Sequence, residues 1–480
     1  MSFLNQLEKE TSKTLTENGG AAYSTTLNAN LDFFALGGAK RGNIADVVDL
    51  FNKAYKEDKQ LAIRTLFYLR DIKQGQGERD IFRYCLNYLN LNDLDTLTKI
   101  VKFVPEYGRW DDILPYYEVD AVVELVKTTL LLDMANSIKG KNISLLAKWM
   151  PSINASSKQT RYLAQKWIKV LDSTNKDYRK NLSELRKYID VLEVKMSSKR
   201  WDEIDYSKVP SQAFSRHIKS FYRNDGERIK EHFNKVEKGE AKLNTSTLYC
   251  YEIARGIRQC PKEQQQAFNL LWKELPDFTN NENALVVADV SGSMTGTPMD
   301  VSVSLAVYFA ERNKGLFANK FMLFSNNPIL ITIPEGELID KLKHVEYTDI
   351  SWYRGTNLQA VFDTILEAAV KSNASQEELP SKIYIITDME FDTCTDDDKE
   401  TVFENAKRKF SEKGYNLPHV IFWNADSRQN TLPVTMYDNN VTLISGASQN
   451  AFKFAVEDLS PIEFMLSVVN SDRYSNIVID

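Results

Sequence analysis

The sequence predicts an α + α/β protein: an N-terminal helical-repeat half followed by a half built on a parallel, doubly wound sheet. Three observations predict it. From about residue 40 to 275 apolar residues recur at steps of three and four, the spacing of one helix face. After residue 280 continuous apolar runs alternate with helical stretches, which is the pattern of a sheet covered on both sides. Charge divides at the same place: residues 1–280 hold 44 Lys and Arg against 37 Asp and Glu, whereas residues 281–480 hold 16 against 29. At 480 residues the chain is too long for one core of ordinary size. We therefore expect two domains, 15–278 and 281–480.

In the helical half Leu182, Leu185, Ile189 and Leu192 form one apolar stripe, and strand signals are nearly absent. Loop-like clusters interrupt the helices at Gln74-Gly75-Gln76-Gly77, Pro105-Glu106-Tyr107-Gly108, Pro151-Ser152-Ile153-Asn154 and Val209-Pro210-Ser211. This is the texture of stacked helical hairpins, HEAT-like and without a strict period. At ~40 residues per two-helix unit the stretch holds about six or seven units.

Beyond Asp277-Phe278-Thr279-Asn280 the apolar runs predict strands at 284–289, 320–325, 329–333, 382–387, 419–424 and 441–445. Helices are expected at about 298–314, 356–372, 396–413 and 448–457. Ligands of such sheets bind beyond the carboxyl ends of the strands. Asp289, Ser291 and Ser293 follow the run Leu285-Val286-Val287-Ala288, and Asp388 follows Ile383-Tyr384-Ile385-Ile386-Thr387, so both groups fall on that edge. Thr356, in Arg354-Gly355-Thr356-Asn357, adds a third hydroxyl. Oxygen ligands of this kind suit a hard divalent cation, Mg2+ or Mn2+, and three uncharged hydroxyls leave it electrophilic toward a carboxylate or phosphate. Gly292 and Gly296 suit a tight loop, and Glu390 and Asp392 are expected on the solvated surface.

In this order and strand context Asp289, Ser291, Ser293, Thr356 and Asp388 resemble the metal-ion-dependent adhesion site of von Willebrand factor type A domains, over about residues 281–480. The resemblance implies a magnesium-bound face that recognises protein or other acidic ligands and is not a catalyst.

Residues 151–200 hold twelve Lys and Arg against five Asp and Glu, interleaved with Tyr162, Trp167, Tyr178 and Tyr188. Cations bind phosphates and aromatic rings stack on unpaired bases, so Lys158, Arg161, Lys199, Arg200, Arg216, His217 and Lys219 are candidate contacts for single-stranded or irregular RNA. The stretches Asn18 to Thr26, Leu69 to Arg79 and Tyr107 to Asp112 look like the TROVE module of Ro autoantigen proteins. Tyr178-Arg179-Lys180, the stretch from Lys195 to Trp201 and Val209-Pro210 look like an allied family of unassigned function with the same domain order. The Ro resemblance implies a monomeric ring of helical hairpins, closed by the second domain, that binds small noncoding or misfolded RNA and threads single-stranded ends through a basic hole. It adds Arg70, Lys73, Arg79 and Arg109 as candidate RNA contacts.

His217, His232, His344 and His419 are scattered, and no Walker loop, nucleotide fingerprint or nucleophile elbow occurs, so no enzyme is expected. Cys85, Cys250, Cys260 and Cys394 have no metal or disulfide spacing, the N-terminus is polar, and no run approaches the ~20 apolar residues of a membrane helix. The expectation is a cytoplasmic RNA-binding protein with no membrane partner. The alternative is a protein-interaction scaffold whose helices and metal site both hold proteins.

Overall fold

The computed structural model describes residues 2–279, 283–348, 355–395, 399–454 and 459–479. Asn280, Arg354, and the parts of two expected helices at 396–398 and 455–457 lie outside the described residues. The chain is helical from Ala29 to Lys273 and carries a six-stranded sheet between Ala284 and Ser445.

Before the first long helices comes a small antiparallel hairpin, β1 (Lys13–Leu15) and β2 (Ala21–Tyr23), which no apolar run announced. Helices Ala29–Gly37, Ile44–Glu57, Lys59–Arg70 and Arg79–Asn92 then pack in sequence, started by side-chain caps from Asn28, Asn43 and Asp58 on the first three. The turn Gln74–Gly77 is close-packed: a Cβ on Gly75 would lie 1.9 Å from the Tyr68 carbonyl oxygen. Two expectations need correction here. Pro105–Tyr107 is helical, with Pro105 in the first turn of Val104–Tyr107, where its missing N–H costs nothing. The stripe from Leu182 to Leu192 is divided between Asn175–Tyr188 and Leu192–Ser197, because Asp190 adopts a φ of +54° between them. The helical path then curls back. Tyr249 donates its hydroxyl to the Gln76 carbonyl at 2.9 Å, and the Arg41 guanidinium lies 5.8 Å from the Tyr251 ring.

The sheet has the order β5-β4-β3-β6-β7-β8, with β3 (Ala284–Asp289), β4 (Lys320–Phe324), β5 (Ile329–Thr332), β6 (Lys382–Thr387), β7 (His419–Asn424) and β8 (Val441–Ser445). Every residue of β3, β6, β7 and β8 is buried, as strands covered on both faces require. All neighbours are parallel except β4 and β5, which corrects the expectation of a wholly parallel sheet. Only 325–328 separate those two strands, too few residues for a crossover. Helix Thr297–Arg312 packs on β3 and β4, and Leu358–Ser372 packs beside Val402–Glu412. Two unforeseen helices, Pro461–Val469 and Asp472–Ser475, leave the sheet and pack on Ala29–Gly37 and Lys59–Arg70. There the Arg473 guanidinium meets the buried Asp71 carboxylate at 2.8 Å. Among the described residues no helix is long and apolar enough to cross a membrane.

Candidate functional site

The ends of β3 and β6 carry the expected cation donors. Asp289 is fully buried: its Oδ1 accepts the Ser291 N–H at 2.8 Å and its Oδ2 accepts the Thr387 hydroxyl at 2.6 Å. The Ser291 and Ser293 hydroxyls lie 2.9 Å apart on the same loop. Asp388 is buried on the adjacent strand end, and burial together with its charge pushes the Asp289 carboxyl up to about 6. Met389, next in line, holds a φ of +66°, a strained value for a side chain of its size.

Thr356 joins this edge through Asp392. Its hydroxyl donates to Asp392 Oδ1 at 2.6 Å and its N–H to Asp392 Oδ2 at 2.7 Å. The same hydroxyl accepts from Asn18 Nδ2 at 3.0 Å, which leaves one lone pair for a cation. Two carboxylates and three hydroxyls are a donor set that fits a hard divalent ion, and a cluster of three His, Cys, Asp or Glu side chains, absent among the described residues, is not what such a site needs. One protein cation is already present: Arg428 Nη2 stands 3.1 Å from Asp388 Oδ2, so a metal would share that carboxylate with it.

Glu390 and Asp392 are not solvated rim. Glu390 is 1% exposed and accepts the Glu17 N–H at 2.6 Å, while Asp392 is engaged by Thr356. The reason is the N-terminal hairpin, whose turn lies across both. The sequence held no local sign of this contact, which spans more than 370 residues.

The second site is an open cavity of about 1100 Å³ lined by the curled helical path. Arg70, Arg79, Arg109, Arg216 and His217 line it, although the chain separates the first from the last by almost 150 residues. Lys40, Arg41, Lys102 and Lys148 bring the lining to eight Lys and Arg against five Asp and Glu. Tyr84, Trp110, Trp149, Tyr249 and Tyr251 supply rings. Arg109 stacks 4.2 Å over Trp149, and Tyr249 and Tyr251 are stacked on each other. Apart from Trp110, which stands in a stretch already singled out, these aromatics sit in no motif.

Not every cation there is available to a ligand. Arg70 is 3% exposed and locked on Asp112, with Nη2 2.8 Å from the carboxylate, and Arg83 holds the same group at 2.7 Å. Arg70 is therefore a poor RNA contact, and its role is structural. Arg216, by contrast, is exposed and has no carboxylate within ion-pairing distance among the described residues.

The remaining predicted contacts lie elsewhere. Lys73, Lys158, Arg161, Lys199, Arg200 and Lys219 are absent from the cavity lining. Arg161 donates to the Ala155 and Ser156 carbonyls at its own helix start, and Arg200 pairs with Glu203 at 2.8 Å. In the basic segment Trp167 and Tyr178 are core residues, donating to the Leu114 and Pro151 carbonyls, and only Tyr162 and Tyr188 reach the surface.

Comparison with known proteins follows these two regions. The family described as Domain of unknown function (DUF7788) matches residues 283–469, and that described as Domain of unknown function (DUF2828) matches residues 16–106 and 122–285. Uncharacterized protein L728 of Acanthamoeba polyphaga mimivirus is 31% identical, covering 95% of this chain and 86% of its own. The crystal structure of the Deinococcus radiodurans RO (RSR) protein is 13% identical and covers 89% of this chain and 91% of that one at a TM-score of 0.37, too low to equate the two folds. With more than half of its length matched by the one family and a relative 31% identical over 95% of this chain beside it, the chain belongs to the DUF2828 family.

Proposed function

We propose that this protein binds single-stranded or irregular RNA in the cavity of its helical half and holds a divalent cation at the edge of its sheet. One observation carries the RNA reading: four accessible members of the predicted set, Arg79, Arg109, Arg216 and His217, converge on one cavity with five aromatic rings. Cations that take phosphates beside rings that take bases are what unpaired nucleic acid needs. The stretches similar to the TROVE module support the same reading, because Arg79 and Arg109 fall within them. The helical half then acts as a HEAT-like ring, closed where Tyr249 meets Gln76.

At the sheet edge Asp289, Ser291, Ser293, Thr356 and Asp388 would hold Mg2+ or Mn2+, in the manner of a von Willebrand type A domain. The bound ion would supply an electrophilic centre for an acidic group, and nothing in the reading requires turnover. Ultraviolet cross-linking to oligouridine, followed by peptide mapping, tests the RNA site. We expect cross-links at Tyr84, Trp149, Tyr249 or Tyr251; cross-links confined to Tyr162 and Tyr188 would move the site to the outer surface, and none at all would remove it.

A specific observation favours the scaffold as the second reading. Several cavity cations are neutralised in place, Arg41 by Glu78 and Arg109 by Asp111, so much of the basic lining already serves the fold. Nucleic acid co-purifying with the protein, seen as a raised 260/280 nm absorbance ratio, would count against a scaffold alone.

A further inference from the structure

A cation held by two carboxylates and three hydroxyls keeps an open position that an acidic side chain completes. Such a group stands at the edge already. The turn of the N-terminal hairpin places Asn18 against Thr356, one of the residues that would hold the ion, and Glu17 against Glu390 and Arg428 beside them. Asn18 Nδ2 donates to the Thr356 hydroxyl at 3.0 Å and to the Glu390 carbonyl at 2.7 Å. Glu17 donates its N–H to Glu390, and its carboxylate meets Arg428 Nη1 at 3.0 Å. Arg428 Nη2 lies 3.1 Å from Asp388, so one guanidinium is shared between a carboxylate of the hairpin and a carboxylate of the sheet. The structure thus already puts positive charge between Glu17 and Asp388.

The hairpin is built to stay there. The Thr16 hydroxyl donates to the Phe391 carbonyl at 2.6 Å, the Thr393 hydroxyl donates to the Gly19 carbonyl at 2.8 Å, and Tyr23 and Leu432 exchange both backbone bonds. Gly20 lies so close that a Cβ on it would be 2.6 Å from the Phe391 carbonyl oxygen, so only glycine allows this seat. Glu17 itself keeps 47% of its side-chain surface exposed, with its carboxylate paired to Arg428.

We propose that Glu17 is the acidic partner of the cation site in cis. The site is then an internal clasp that fastens the hairpin, and with it the start of the helical half, to the sheet; it is not an outward adhesion face. This rests on the cation reading above. With an ion bound, Glu17 would tie the seated hairpin more firmly to the sheet edge, and an external acidic ligand would have to displace Glu17 first.

The test uses the full-length protein and Mn2+. Isothermal titration gives the affinity for wild type, Asp289→Ala, Glu17→Gln and Glu17→Ala, and hydrogen exchange follows the amides of residues 16–23 with and without metal. We expect wild type to bind, Asp289→Ala not to bind, and both Glu17 variants to bind roughly tenfold more weakly. Added acetate should restore part of the affinity of Glu17→Ala and leave wild type unchanged. Metal should protect the hairpin amides in wild type only. Wild-type protein that ignores Mn2+ removes the cation reading and the clasp with it. Equal affinity in wild type and Glu17→Gln, with hairpin exchange unmoved by metal, removes the clasp alone.

Discussion

At the scale of single residues, short-range pattern and long-range environment separate cleanly. That Asp289, Ser291 and Ser293 stand together at one strand end was legible, because a carboxylate and two hydroxyls directly after an apolar run need no partner elsewhere to be placed there. The places of Arg428 and Glu17 were not, since each matters only through contacts made across the whole chain. Arg70 shows the same limit from the other side. In sequence it is a cation in a basic stretch; in the fold it is sealed against Asp112, whose carboxylate is itself fully buried. Replacing Arg70 by Met leaves that charge with fewer partners. We expect a loss of about 3 kcal/mol in denaturant unfolding, at the low end for a broken buried pair because Arg83 still holds Asp112. Once folded, the variant should bind RNA as wild type does, which separates a structural arginine from a ligand-binding one.

At the scale of elements, the strands were the most legible part. Continuous apolar runs such as Leu285–Ala288 and Ile383–Ile386 have few other places to go than a strand covered on both faces. The hairpin Lys13–Tyr23 was invisible because three-residue strands carry no periodicity, and it is specified by the sheet edge it lies on. Helix junctions fall between these cases. Asp93 ends one helix and caps the next, accepting the Thr96 N–H at 3.1 Å, the Tyr55 hydroxyl and the Lys59 ammonium. Burial alone would raise its carboxyl, but the Thr96 N–H, Lys59 and Tyr55 outweigh it and hold the group down to about 2. A depressed carboxyl stabilises the fold above its unfolded value of roughly 4, and that contribution fades as pH falls toward 2. Asp93→Ala should therefore cost about 1 kcal/mol at neutral pH, chiefly through the lost cap. Chemical unfolding of the two proteins at a series of pH values should show the gap narrowing below pH 4.

At the scale of the whole molecule, the two halves are bound by more than one seam. The hairpin crosses to the sheet edge, and the C-terminal helices return to the helical half, where Arg473 meets Asp71 and Tyr474 is fully buried. Between the two ends the helices curl until residues 249–251 meet 41 and 76–77, and that closure makes the cavity. No window of sequence contains it, which is why five of the eleven predicted RNA contacts proved to line it while the basic run 151–200 is mostly outer surface. Of those five, Arg79 and Arg216 are exposed side chains on opposite arms of the path. The most direct measurement is fluorescence anisotropy of an unstructured oligouridine against wild type and an Arg79→Ala, Arg216→Ala double variant across a salt series. If the cavity holds RNA, wild type binds at low salt with a log Kd that shifts by about 0.7 per phosphate contacted for each decade of salt, so about 2 for three phosphates. The double variant should bind more weakly with a shallower slope. Absence of saturable binding by folded wild-type protein at low salt, or identical curves for the two proteins, would contradict an RNA site in the cavity.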